Sequence, residues 1–283
     1  MLAAERPASA LGGAMAWGRR AGVGELHVLV DDGAGELARR ASQFVSPPVV
    51  WRIDGRDLVA AEPAPIGPEP PLPPDAAAFV AMIETAGADP VVEHGVLRAE
   101  VLGLEVARVV SDHEGTRIEV GVGAFDREAQ RMVHGDRPAD QALAAAVAAV
   151  RSVRRPDAPS HQVNQLALER WMRAVLVRRP ALVGATSLTL APSPVIRTDL
   201  RQRAPAPATG ADGDGRPLLV VCSTGIDVDL VPAAADARLA DGRGARLVLV
   251  VPEADDHPLT RTLADALVEP AGVVTLPGGW RAL

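Results

Sequence analysis

The sequence predicts an α/β protein: an N-terminal αβαβ unit, a central region in which strands precede helices, and a C-terminal βαβαβ parallel-sheet unit. Three observations carry this. Short apolar strands alternate with helical patterns at both ends of the chain, and two stretches rich in proline, alanine and glycine interrupt the pattern. Hydrophobic residues make up 48% of the 283 residues against 23% charged, which suits sizeable cores and excludes wholesale disorder. At roughly one domain per 100–200 residues, this length predicts two domains or three.

Residues 1–61 read as the N-terminal α/β unit. A helix around Ala8–Ala21 precedes the strand Glu25–Val30, a helix around Gly35–Phe44 and the strand Val49–Ile53, whose start is set by Pro47-Pro48. A short strand Leu58–Ala60 follows the turn Asp54-Gly55-Arg56-Asp57. Residues 62–75 hold seven prolines, and since proline lacks a backbone donor and favours polyproline II they read as a semi-stiff linker.

The central region spans 76–203. Asp75 is placed to cap a helix Ala76–Ala86, with Phe79, Met82 and Ile83 on its apolar side. Four strands follow, Val91–Glu93, Val96–Val101, Leu104–Val110 and Arg117–Val122, and then helices within 136–154 and 161–179. Residues 181–196 are extended. Residues 204–216, low in complexity, read as a flexible second linker. From 217 to 283 the pattern is strand Pro217–Cys222, helix Leu230–Ala240, strand Ala245–Val251, helix Leu259–Leu267 and strand Gly272–Leu276.

Composition removes whole classes of chemistry. All 29 basic residues are arginine, so a Schiff base, a phosphate-loop lysine or a lysine-dependent nuclease is closed to the chain acting alone. The single cysteine, Cys222, forms no intramolecular disulfide, and no stretch approaches the ~18–20 apolar residues of a membrane span. With no signal peptide pattern at Met1–Pro7, a cytoplasmic protein without a membrane anchor is expected.

Charge is unevenly distributed. Residues 61–149 carry 6 arginines against 15 acids, whereas residues 150–206 carry 10 arginines against 3 acids. This basic island comprises Arg151, Arg154 and Arg155, then Arg170, Arg173, Arg178 and Arg179, then Arg197, Arg201 and Arg203. Guanidinium donates paired hydrogen bonds to phosphate, so an arginine-rich helical face predicts binding of nucleic acid or another phosphate-bearing ligand, with Arg170 and Arg173 sharing one side of a helix. With no tyrosine and three phenylalanines, stacking on single strands is not expected. The alternative is that the island docks on the protein's own acidic parts.

A second candidate lies at the carboxyl end of the strand Pro217–Cys222, where Ser223, Thr224 and Gly225 have the small, polar character of a ligand loop. Asp227 and Asp229 behind them are candidate ligands for Mg²⁺ or Mn²⁺, with Glu253, Asp255 and Asp256 on the next loop able to join them. That site would suit a metal-dependent phosphoesterase, or a nucleotide-binding enzyme or sensor. An alternative metal set is Glu84 on a helix with Glu105 and Glu119 on successive strands, an order that resembles restriction-endonuclease-like folds. Gly121 stands where that family's strand signature has lysine, so nuclease activity of that kind is not expected. The six histidines show no metal-ligand spacing, and Cys222 lacks a nucleophile elbow. A structural or assembly protein, pairing its charge-segregated surfaces, is the remaining class.

Overall fold

The computed structural model describes residues 10–113, 115–134, 137–155, 161–197, 200 and 202–283, the side chains of residues 130, 131, 133 and 134 apart. It has the mixed α/β architecture expected, with three sheets of three, four and five strands among these residues. No helix among them is long and apolar enough to cross a membrane. The chain divides into two compact units, residues 1–67 with 209–278, and residues 68–208 with 279–283. The first boundary lies inside the proline-rich stretch. The second lies inside a strand.

In the first unit, α1 (Leu11–Ala21) leads to β1 (His27–Val30), α2 (Ala34–Ala41), β2 (Val49–Asp54) and β3 (Asp57–Ala60). The start of the expected first helix, Ala8 and Ser9, lies outside the described residues. β1 pairs parallel with β2, and β2 pairs antiparallel with β3 through the Gly55 turn, giving a small mixed sheet. Later in the chain come β9 (Ala206–Asp212), β10 (Pro217–Cys222), α7 (Leu230–Asp241), β11 (Arg246–Pro252), α8 (Pro258–Asp265) and β12 (Gly272–Leu276). Within this unit the second sheet runs β12-β11-β10-β9, with β10, β11 and β12 parallel. Its middle strands, Leu218–Cys222 and Leu247–Pro252, are buried residue after residue, as strands covered on both faces must be.

Early and late segments share one core. Leu11, Met15, Leu37 and Phe44 pack in the same cluster as Leu219, Leu230, Leu249 and Leu263. Beside it Asp236 of α7, almost fully buried, accepts Arg39 Nε and Nη2 at 2.9 and 3.0 Å and Arg40 Nε at 2.8 Å. Such a carboxylate is tolerated inside because two fixed guanidiniums donate three hydrogen bonds to it. α1 approaches so closely that a Cβ on Gly12 would overlap the Val228 carbonyl.

The second unit begins with a 3₁₀ turn, Pro74–Phe79, and α3 (Val80–Thr85). Here a single helix Ala76–Ala86 was expected; the chain instead enters through Pro73-Pro74, and Asp75 makes no capping bond. Then β4 (Asp89–Glu93), β5 (Val96–Val101), β6 (Leu104–Asp112) and β7 (Gly115–Val120) form an antiparallel meander in sequence order. α4 (Gly123–His134), α5 (Ala139–Val153), α6 (Leu168–Arg178) and β8 (Ala185–Leu190) follow, and β8 pairs with the start of β9. One face of the meander is apolar, with Leu97, Ala99, Val106 and Val109 packed against Leu143, Val147 and Val150 of α5.

The stretch 204–216 is not a linker. It forms β9 and a turn in which Asp212 Oδ1 accepts the amides of Asp214 and Arg216, both at 3.0 Å. Ala204, Ala206 and Ala208 are buried at 0–3% exposure. Alternating small side chains suit a strand pressed closely by its neighbours, while the same letters resemble a flexible spacer.

Candidate anion-binding cleft

The second face of the meander is charged, and its geometry depends on one irregularity. Arg98 pairs with Arg108 and Ala99 with Ala107, but Glu100 pairs with Glu105, so β6 carries one extra residue at this point. A bulge of this kind re-aims the side chains that flank it. Glu105 and Arg108, three apart, thereby reach one another, with Arg108 Nε 2.7 Å from Glu105 Oε1. In a regular strand they would face opposite sides.

Around this bulge the charges form a continuous network. Glu105 also accepts Arg98 Nε at 3.1 Å and Arg127 Nη1, from α4, at 2.9 Å. Glu100 accepts Arg170 Nη1 at 2.5 Å and Arg173 Nη2 at 3.4 Å, both from α6. Glu93 takes the other arm of Arg170 and the Ser193 amide at 2.9 Å. Burial alone would raise the Glu93 carboxyl, but the Arg170 charge and hydrogen bond, with the Ser193 amide, outweigh it and hold the group down at about 2. Arg197 Nη1 lies 3.4 Å from Glu169 Oε1.

These pairs do not balance. Arg98, Arg108, Arg127, Arg170, Arg173 and Arg197 face Glu93, Glu100, Glu105 and Glu169, a surplus of two positive charges among the described residues. The surplus opens onto a cleft of about 610 Å³, whose floor and wall include Arg98, Arg108, Arg127, Arg170 and Arg197 against Glu93 and Glu105. Burial lowers the Arg127 pKa, and the neighbouring Arg108 charge lowers it further; burial and then Arg170 do the same to Arg197. Glu105 and Glu119 oppose that shift at Arg127, and Glu169, Glu100 and Glu93 oppose it at Arg197. Arg108, with a side chain 33% exposed, is the most accessible of the pairing arginines around Glu105.

The arginines of residues 150–206 are mostly occupied elsewhere. Arg154 is 1% exposed and donates to the carbonyls of Leu102, Val163, Leu166 and Ala167 at 2.9–3.2 Å, its guanidinium 4.5 Å from the Trp171 ring centroid. Arg170 and Arg173 are 4% and 1% exposed, so the expected basic face of α6 is internal: every residue from Glu169 to Leu176 is buried. The sequence placed these charges correctly on one helix and could not show that their counter-charges lie on β4 and β5. Arg151, Arg155, Arg178 and Arg179 are at the surface, with Arg151 bonded to the Gly87 carbonyl and Arg178 3.5 Å from Asp89. Arg203 is exposed, and Arg201 lies outside the described residues. Of the island's described arginines, the cleft receives Arg170 and Arg197.

In the first unit, the loop after β10 is already satisfied from within. Ser223 and Thr224 are buried, and the Gly225 amide donates to Asp255 Oδ2 at 2.6 Å. The two loops at the strand ends therefore do meet, with Asp255 occupying the position an anionic ligand would need. Asp227 accepts the Asp229 amide at 2.9 Å, and Asp229 accepts the Gly12 amide at 2.9 Å. Among the described residues no three His, Cys, Asp or Glu side chains come together to hold a metal ion. Neither expected metal set is assembled: Glu105 is surrounded by arginines, Glu119 pairs with Arg117 at 3.1 Å, and Glu84 is exposed on α3.

Asp229 has a consequence for pH. Burial, with Asp227 close by, raises its pKa to about 7 despite the Gly12 amide. The folded chain then keeps a proton that the unfolded chain releases, so stability is lost as pH climbs from about 4 to about 7 and stays level above. Asp229→Asn retains an acceptor for Gly12 and removes the charge. It is expected to be more stable than the parent at pH 8, by roughly 2–4 kcal/mol after allowing for solvent screening, and equal to it near pH 4. Thermal melts at both values check this; an equal shift at both contradicts it.

No family model, curated protein or solved structure matches the chain.

Proposed function

We propose that the protein binds a small phosphate- or carboxylate-bearing ligand in the arginine-lined cleft of its second unit. The observation that carries this reading is the surplus of arginine around Glu93 and Glu105, gathered in one cleft. Guanidiniums already fixed by carboxylates are preorganised, so a ligand anion pays little to order them. Nucleic acid, as a long duplex, fits less well: Arg154, Arg170 and Arg173 are too buried for a phosphodiester backbone to reach.

Calorimetric titration with pyrophosphate tests the proposal. The parent protein is expected to bind one equivalent, and Arg108→Ala to bind about tenfold more weakly, the effect of about 1.4 kcal/mol in a charge-assisted contact. Absence of binding at low ionic strength, or affinity unchanged by Arg108→Ala, overturns it.

A further inference from the structure

We infer that the ligand of the cleft is a phosphate ester carrying a planar aromatic ring, the ring resting on Phe125 while the phosphate meets the arginines. This rests on the anion-binding reading above and narrows it. The chain has only three phenylalanines and four tryptophans. Phe44, Trp171 and Trp280 are buried at 1–4% exposure, whereas Phe125 is 87% exposed, more than any other large hydrophobic residue described. It stands in the first turn of α4, two residues before Arg127, and lines the cleft. Ile196, 68% exposed and next to Arg197, lines the same cleft.

Both exposed apolar groups are thus chain neighbours of cleft arginines. An anion alone gives them nothing to cover, since phosphate has no apolar surface. A ring attached to the anion does, because an aromatic face stacks on phenylalanine and removes both surfaces from water. The cleft, at about 610 Å³, lies within the size range of pockets that enclose small organic ligands. A long aliphatic tail suits it less, with five arginines on its floor and wall.

The test compares methyl phosphate, phenyl phosphate and adenosine monophosphate, which carry the same anionic group with and without a ring. The parent protein is expected to bind the two ring-bearing esters about tenfold more tightly than methyl phosphate, within the range of stacking on one aromatic side chain. Phe125→Ala is expected to erase that difference and leave methyl phosphate binding unchanged; the side chain is exposed, so circular dichroism should show an unaltered fold. Preference for adenosine monophosphate over phenyl phosphate marks a nucleotide ligand, and the reverse order a simple aryl phosphate; both support the inference. Equal affinity for all three esters in the parent, or a ring preference that survives Phe125→Ala, overturns the inference while leaving anion binding intact. Failure of every ester to bind overturns both.

Discussion

Replacing Glu100 with alanine is expected to destabilise the second unit by about 3–5 kcal/mol, the cost of leaving buried charge without its partner. Glu100 is 2% exposed and stands between two guanidiniums, Arg170 at 2.5 Å and Arg173 at 3.4 Å. Arg170 retains Glu93, whereas Arg173 loses the carboxylate it donates to and is left beside the carbonyls of Ala191 and Pro207 at 3.1 and 3.5 Å. Neither guanidinium can shed its proton to escape. Glu100→Gln, which preserves shape and one acceptor, should lose less than the alanine variant yet remain well below the parent. Urea unfolding followed by Trp171 and Trp280, in a Trp17→Phe/Trp51→Phe background, reads this unit specifically. A change under about 1 kcal/mol would mean the network is solvated and contributes as little as a surface pair.

Arg154→Ala is expected to cost a similar amount, roughly 3–5 kcal/mol, for a different reason. Its side chain serves backbone rather than acids, tying the β5–β6 turn at Leu102 to the segment that enters α6 at Ala167. Leu102 and Ala167 both adopt φ of +47°, a left-handed conformation that non-glycine residues hold only when their surroundings enforce it. Removal strands several carbonyls, vacates space beside Trp171 and frees two strained positions together. Burial lowers the Arg154 pKa to about 9, so it remains charged at neutral pH. Arg154→Lys is expected to recover little, because an ammonium lacks the planar fork that reaches four carbonyls. Loss of anion affinity without loss of stability would instead place Arg154 in a binding surface.

These two residues mark where sequence reading reached and where it stopped. The apolar runs Leu218–Cys222 and Leu247–Val251 announced buried parallel strands, because a strand covered on both faces needs no polar residue along its length. The meander was readable from its strand-length apolar runs, and the structure places Gly95 and Gly103 at its turns with positive φ. Residues 206–212 were misread because strand β9 is built from alanine, proline, threonine and glycine, letters whose local preference is for loops. α4 was missed as well, and with it Arg127 and Phe125.

The cleft was hidden for a sharper reason. The regional charge count directed attention to residues 150–206, yet Arg98, Arg108 and Arg127 come from residues 61–149, where acids outnumber arginines 15 to 6. Net charge along a chain does not reveal which acids are consumed by which arginines. That depends on register, and here on a bulge that brings Glu105 beside Arg108.

The central claim is that the arginines gathered around Glu93 and Glu105 outnumber the acids at one cleft and meet an anion there. Its most direct test is to locate an anomalously scattering anion, selenate, in crystals of the protein grown without phosphate or sulfate. A selenium peak within hydrogen-bonding distance of Arg108 and Arg127, absent in Arg108→Ala crystals, is the predicted result. Selenate on the exposed arginines Arg155, Arg178 or Arg179 with the cleft empty would contradict it.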